Sequence, residues 1–100
     1  MVVGTCRVEL RIPESSSLKG KRQVLRSIKD RVRSRFNVSI AEVGYLEEWQ
    51  RAMLAVACVS NETKIVDEML SKVVDLIEKQ ELALLVDYDI DVVVHGDGFA

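Results

Sequence analysis

Five basic side chains recur at helical spacing in the first third of the chain, and this arrangement is suited to binding phosphate groups. They are separated by three, four, three and four residues, which places them along one side of a helix: Lys19, Arg22, Arg26, Lys29 and Arg33. We call these residues the basic stripe. The same helix carries a single acid, Asp30, so the stripe has little internal compensation for the repulsion between like charges. A nucleic-acid backbone would supply the missing negative charge.

A run of serines precedes the stripe and adds hydroxyl groups to the start of the same helix. Ser17 has the side chain expected of an N-cap, which accepts a hydrogen bond from a free N–H in the first turn. The other free N–H groups make a helix start a place for anions. We therefore take Ser15, Ser16, Ser17 and Lys21 as auxiliary phosphate ligands. The simpler interpretation is that the serine loop only caps the helix.

The net charge of −2 conceals a division between the two parts of the chain. Residues 1–37 hold ten basic and three acidic side chains, a charge of +7, whereas residues 38–100 hold four basic and thirteen acidic ones, a charge of −9. Such asymmetry indicates either a polyanionic partner or attraction between the two parts of the molecule. In the second case, the acidic side of the second helix would neutralise the stripe. The simplest interpretation of the stripe is an ordinary solvated helix face.

Residue types that carry catalysis or bind metals are sparse. The two cysteines, Cys6 and Cys58, lie in apolar runs without metal-ligand spacing, which predicts buried thiols in a reducing compartment. The single histidine, His95, has no partner nucleophile in the sequence, so we expect no enzymatic activity, no metal and no cofactor. Asp87, Asp89 and Asp91 alternate along a predicted strand. There they would discourage edge pairing and would face Arg7 and Arg11 across the sheet.

The elements that position these residues follow from hydropathy patterns. Alternation predicts strands over residues 5–12, 38–43 and 86–94, and a run that is apolar on both faces predicts a central strand over 51–59. Apolar spacing predicts helices from 18 to about 35 and from Ser60-Asn61 to about 80. The order βαββαβ with right-handed crossovers predicts an α+β, ferredoxin-like sandwich. Its antiparallel sheet has the order 4-1-3-2 and carries two helices on one face. We expect residues 1–100 to form a single domain, with a flexible tail over 96–100.

The predicted core combines one side of each strand with one side of each helix. Its members are Cys6, Val8, Leu10, Leu25, Ile28, Val32, Met69, Val73, Ile77, Tyr88 and Ile90. The other face of the sheet has no helix to cover it and an apolar central strand, which predicts a homo-oligomer, by default a dimer. That face lacks aromatic residues on its central strands, so base stacking there is excluded. Trp49, just before the third strand, is expected to be a hydrophobic anchor for the hairpin rather than a stacking platform.

Several short motifs in combination resemble the YlxP-like family of small bacterial proteins of unknown function. They are Ser17-Leu18-Lys19, Lys21-Arg22, Val24-Leu25-Arg26, residues 35–39, Ala41-Glu42-Val43, residues 49–52 and Val59-Ser60-Asn61. The resemblance covers nearly the whole chain. It implies a ferredoxin-like fold, a bacterial cytoplasmic protein, and a gene often placed among translation-initiation and ribosome-maturation genes. Gly20 stands where the family pattern has an acidic residue, which removes a capping box.

Two functional interpretations remain open from the sequence. In the first, the chain is a non-enzymatic factor that associates with RNA or a ribosomal subunit through the basic stripe. In the second, it is a self-associating interaction module, or a regulatory module that binds a small ligand as ACT domains do. No residue identifies a small molecule, and no apolar segment is long enough to span a membrane or serve as a signal peptide. The expected location is the cytoplasm.

Overall fold

A computed structural model of the chain describes residues 1–96 and contains the predicted βαββαβ sequence of elements. Residues 97–100, which belong to the tail predicted to be flexible, lie outside the described residues. The elements are β1 (Val2–Arg11), α1 (Leu18–Arg35), β2 (Ser39–Gly44), β3 (Arg51–Ser60), α2 (Thr63–Glu78) and β4 (Leu84–Val94). The predicted segments all exist, with boundaries that differ by up to three residues.

The four strands form one sheet in the order β2-β3-β1-β4, and each neighbouring pair is antiparallel. Read from the other edge, this is the predicted order 4-1-3-2. At the centre of the sheet, Val8 of β1 lies opposite Leu54 of β3 and Tyr88 of β4. The ferredoxin-like fold is therefore confirmed, with β2 and β4 as the two edge strands.

The core lies between one face of the sheet and the two helices. Alternation along β1 buries Cys6, Val8 and Leu10, each exposing 1% or less of its surface, while their neighbours point to the opposite face. Helix α1 contributes Leu25, Ile28 and Val32, and helix α2 contributes Val66, Leu70, Val73, Val74 and Ile77. Burial of these apolar side chains is the main stabilising contribution to a domain of this size.

Three predicted core residues lie closer to the surface than expected. Tyr88 is 49% exposed, so its assignment to the core is wrong, and Met69 and Ile90 are only partly buried. The predicted side of the strand is correct for both β4 residues, because Tyr88 lies opposite Val8 and Ile90 lies opposite Cys6 on β1. The difference arises because β4 is an edge strand, whose inner face is covered less fully than those of the central strands.

The two helix starts differ in how their free N–H groups are satisfied. Ser17 is the N-cap of α1, as predicted, and its Oγ accepts a hydrogen bond of 3.0 Å from the Gly20 N–H. Helix α2 begins at Thr63, slightly after the predicted Ser60-Asn61 start, and its cap residue Glu62 makes no side-chain cap bond. The Ser60 hydroxyl instead accepts from the Glu62 N–H at 3.3 Å, which orders the turn before the helix.

The uncovered face of the sheet is charged over β1 and β4 and largely apolar over β3. Within residues 1–96, no carboxylate of β4 lies within 4 Å of Arg7 or Arg11, although the register sets Arg7 opposite Asp89. The predicted cross-strand ion pairs are therefore not formed. At one end of this face, Val3 is flanked by Val59 and Val93, which are 64% and 44% exposed.

None of the described helices is long and apolar enough to cross a membrane.

Candidate phosphate-binding surface

The basic stripe occupies one side of α1, next to the side that is buried against the sheet. Lys19, Arg22, Arg26 and Arg33 are exposed, and Lys29 is partly buried. Burial of Leu25, Ile28 and Val32 fixes the rotation of the helix and so decides which residues face water. From the first to the last residue of the stripe the helix advances about 21 Å. The result is a rigid row of cations on a regular element.

One end of the stripe is anchored to the edge strand β2. The Arg33 guanidinium donates a hydrogen bond of 2.9 Å to the carbonyl oxygen of Ile40 and lies 3.9 Å from the carboxylate of Asp30. The remaining stripe residues make no ion pair or side-chain hydrogen bond within residues 1–96. The stripe therefore runs alongside β2. Within residues 1–96, the basic groups from Lys19 to Lys29 have no ion-pair partner, whereas that of Arg33 is held by Ile40 and Asp30.

Helix α2 does not supply the negative charge that the stripe lacks. Its ion pair, Lys64 with Glu68, lies within the helix itself. The side of α1 that faces α2 is a different one, where Arg31 lines a recess with Lys79 and Arg35 lines another with Lys72. Within the part of the chain that the structure describes, no ion pair therefore joins a basic residue of the stripe to an acidic residue of α2.

Lys21 corrects the sequence prediction, because its side chain is buried. It is 1% exposed, and its Nζ lies 2.8 Å from Oε2 of Glu42 and donates a 2.7 Å hydrogen bond to the carbonyl oxygen of Tyr45. Both partners belong to the molecule, so this ammonium has no free path to an external phosphate. Its spacing of four, three and four to Leu25, Ile28 and Val32 is the signal that could have placed it on the buried side.

The serine loop is used mainly within the molecule. Ser15 is buried, and its hydroxyl donates to the carbonyl oxygen of Ser17 at 3.0 Å, so it is not placed as a phosphate ligand. The Ser17 hydroxyl is engaged as the helix cap. Ser16 is exposed and remains a predicted ligand. The simpler interpretation of this loop, as a cap, accounts for the Ser17 hydroxyl, and a hydrogen bond within the loop accounts for that of Ser15.

The loop between β2 and β3 adjoins the start of the stripe, since it carries the carbonyl oxygen to which Lys21 donates. Tyr45 adopts a left-handed conformation with φ of 58°, and the Glu48 N–H closes the turn by donating to its carbonyl oxygen at 3.0 Å. The Arg51 guanidinium stacks on the Tyr45 ring at 3.9 Å from its centroid. Trp49 is 53% exposed, so the prediction that it anchors the hairpin by burial is wrong.

Both cysteines are buried free thiols, in agreement with the sequence prediction. Burial raises the pKa of Cys6 to about 11, with a smaller contribution from the nearby carboxylate of Asp89, and burial also raises the pKa of Cys58. A thiol with a raised pKa is a weak nucleophile at neutral pH. These two groups therefore belong to the core and contribute nothing to the surface chemistry of the stripe.

Comparison with known proteins finds a matching protein family and a solved structure with a similar fold. The family described as "Protein of unknown function (DUF503)" matches residues 3–90. The uncharacterized protein YlxP of Bacillus subtilis (strain 168) is 39% identical over 77 residues, which cover 77% of this chain and 84% of that protein. The de novo designed protein Foldit4 superposes with a TM-score of 0.53 at 10% identity, over 95% of this chain and 98% of its own. The likeness to Foldit4 shows the fold alone.

Proposed function

This chain belongs to the DUF503 family, and we propose that it is a non-enzymatic cytoplasmic factor that binds RNA or a ribosomal subunit through the basic stripe. One observation carries the proposal. Arg22 and Arg26 are exposed one helical turn apart, and within residues 1–96 no carboxylate lies within 4 Å of either. Like charges at this spacing repel each other, so an external polyanion is favoured next to them.

The chemistry of the stripe favours contact with phosphates over contact with base edges. Arginine and lysine side chains on a helix bind backbone phosphates irrespective of sequence, with affinity that falls steeply as salt rises because bound counterions are released. The central strands add no base-stacking aromatics, since the open face over β1 and β3 carries residues such as Arg7, Glu9, Ala55 and Ala57. Sequence-independent binding is therefore expected from α1.

A pair of charge-matched double variants tests this proposal. Arg22→Gln/Arg26→Gln removes two charges from the stripe, and Arg31→Gln/Arg35→Gln removes two from the opposite side of the same helix. Binding to ribosomal subunits is measured by cosedimentation, and binding to an RNA oligonucleotide by fluorescence anisotropy, each over a range of salt. We expect the stripe variant to weaken binding and to reduce the slope of log affinity against log salt by about 0.7–0.9 per lost contact.

The control variant should bind like the wild type. Equal losses in both double variants would mean that binding depends only on net charge, and would contradict a contact surface on the stripe. Unchanged binding of the stripe variant, or no RNA or ribosome binding by the wild type, would remove the proposal. Arg33 is left intact in these variants because its contact with Ile40 joins the helix to the sheet.

A second candidate, self-association through the open sheet face, is favoured by the apolar row of Val59, Val3 and Val93. Covering such a row with a second copy would remove exposed apolar surface from water. Light scattering at tens of micromolar should then give the mass of a dimer, and Val59→Asp should give a folded monomer whose thermal unfolding midpoint, unlike that of the wild type, does not rise with protein concentration. A monomeric wild type would exclude this interaction module.

A further inference from the structure

We propose that Trp49 is a stacking platform for an unpaired base of the RNA that the stripe binds, so that the ligand is single-stranded RNA. The inference rests on the proposed function of the stripe. It starts from an exposed tryptophan that the fold does not use. Trp49 is 53% exposed, although burial of a large aromatic ring would stabilise the domain. An indole on a half-exposed residue is suited to stacking on any base.

The loop that carries Trp49 is held at both ends by hydrogen bonds. Gln50 donates from its side chain to the carbonyl oxygens of Pro13 and Ser15, each at 3.2 Å, and its own carbonyl oxygen accepts from the Ile12 N–H at 2.9 Å. At the other end, the carbonyl oxygen of Tyr45 accepts from the buried Lys21 at 2.7 Å. These bonds order the backbone around Trp49 before any ligand binds, which lowers the entropic cost of stacking.

The same contacts place the loop next to the start of the stripe. Lys21 lies between Lys19 and Arg22 in the first turns of α1, and it touches the loop directly through Tyr45. The loop that carries Trp49 therefore lies next to the N-terminal end of α1. A single strand that follows the stripe past this end would cross the edge of the sheet to reach the recess of Trp49, which Arg11 and Arg51 line from the uncovered face. Single strands combine the two contacts, because their phosphates and their base faces are both accessible, whereas the bases of a duplex are already stacked.

Side chains around the indole complement a nucleotide. Trp49 lines an open recess of about 440 Å³ with Arg11, Glu47, Glu48, Gln50 and Arg51. The carboxylate of Glu48 lies 3.7 Å from the Arg51 guanidinium, which offsets its repulsion of phosphate. Arg11 and Glu47 are exposed in the recess, where a guanidinium can bind phosphate and a carboxylate can accept from an exocyclic amino group.

The fluorescence of Trp49 tests the inference directly, because it is the only tryptophan in the chain. The protein is titrated with a mixed-sequence single-stranded RNA, with a duplex RNA of equal length and with inorganic polyphosphate, which has phosphates but no bases. We expect the single strand to quench the emission, and the other two polyanions to bind without comparable quenching. Quenching by polyphosphate to the same extent would overturn the stacking role.

Variants of the loop separate stacking from phosphate binding. Trp49→Ala should weaken single-strand binding by about 5-fold to 150-fold with little effect on the duplex, as expected for the loss of one stacked base. Trp49→Phe should retain most of the affinity, and Leu46→Ala, an equally exposed aliphatic residue in the same loop, should bind like the wild type. The thermal unfolding midpoint of each variant reports whether the fold is intact.

The outcomes distinguish the two proposals. If Trp49→Ala and Trp49→Phe both bind single-stranded RNA as the wild type does, the stacking role is wrong while the function of the stripe stands. If Trp49→Ala does not fold, a large loss of single-strand affinity in the folded Trp49→Phe variant likewise overturns it. If the wild type binds neither these polyanions nor ribosomal subunits, the proposed function itself fails.

Discussion

The ammonium group of Lys21 lies 2.8 Å from the carboxylate of Glu42, and this ion pair joins helix α1 to the edge strand β2. The side chain of Lys21 is 1% exposed and that of Glu42 is 17% exposed, so water screens the pair poorly. The carbonyl oxygen of Tyr45 accepts a hydrogen bond of 2.7 Å from the same ammonium. One buried cation thus positions the helix that carries the stripe against both β2 and the loop that follows it.

Removal of one partner of this pair should be costly because it leaves an uncompensated charge. Glu42→Gln should lower the free energy of unfolding by about 3 kcal/mol, measured by urea denaturation. Lys21→Met/Glu42→Leu should recover most of that loss, since it removes both charges. The exposed pair Lys64 and Glu68 is the control, and Glu68→Gln should change stability by only a few tenths of a kcal/mol. A small effect of Glu42→Gln would contradict a structural role for the pair.

Arg33 should differ from the other arginines of the stripe in its effect on stability. Its guanidinium donates to the Ile40 carbonyl at 2.9 Å, so Arg33→Gln should lower the free energy of unfolding by about 1 kcal/mol. Arg22→Gln/Arg26→Gln should leave stability unchanged or raise it slightly, because it relieves repulsion between neighbours. The free energies of unfolding of the two variants are compared by denaturant unfolding under one set of conditions. Equal stabilities would mean that the Arg33 contact contributes nothing.

The elements of the fold and the position of the stripe were predictable from the sequence because both depend on local periodicity. Alternation in β1 and the spacing of Leu25, Ile28 and Val32 each report a buried side without knowledge of the rest of the molecule. The cap role of Ser17 is equally local. These features could therefore be assigned before the topology was known.

The features that the sequence did not predict depend on contacts between distant segments. Lys21 is buried because Glu42, 21 positions later, meets it from β2. Tyr88 has the alternation of a core residue, yet β4 lies at an edge of the sheet and leaves it half exposed. The exposure of Trp49 likewise depends on how Gln50 ties the loop to the β1–α1 connection. Periodicity identifies the buried side of α1 on which Lys21 lies, but it carries no information on the partner of Lys21 or on the exposure of Tyr88 and Trp49.

The raised pKa of Cys6 predicts a loss of stability at high pH. The pKa rises from 9.0 to about 11 in the folded state. Burial is the larger cause, and the carboxylate of Asp89 is the smaller one. Between these values the unfolded chain loses the thiol proton before the folded protein does, so the free energy of unfolding falls as pH rises. Below about pH 9 the contribution is complete.

Comparison of variants isolates this contribution from other groups that titrate in the same range. The destabilisation caused by Cys6→Ala should shrink as pH rises from 8 to 11 in denaturant unfolding, since the wild type loses the advantage of its protonated thiol. Val8→Ala, a neighbouring core substitution without a titrating group, should cost the same free energy at each pH. A Cys6→Ala effect that is constant with pH would contradict the assigned shift.

The aspartates of β4 should prevent two copies of this chain from joining their sheets edge to edge. An antiparallel pairing of two β4 strands centred on Asp89 would set the aspartates at 87, 89 and 91 against one another, and like charges directly opposite are destabilising. Replacing all three with Thr, a residue that favours strands, removes this barrier from an edge of eleven residues. The triple variant should show a higher mass than the wild type by light scattering, increasing with concentration.

The control is Asp67→Asn/Asp75→Asn/Glu78→Gln, which removes the same charge from exposed positions of α2. Equal association of both triple variants would mean that net charge, and not the edge of β4, keeps the copies apart.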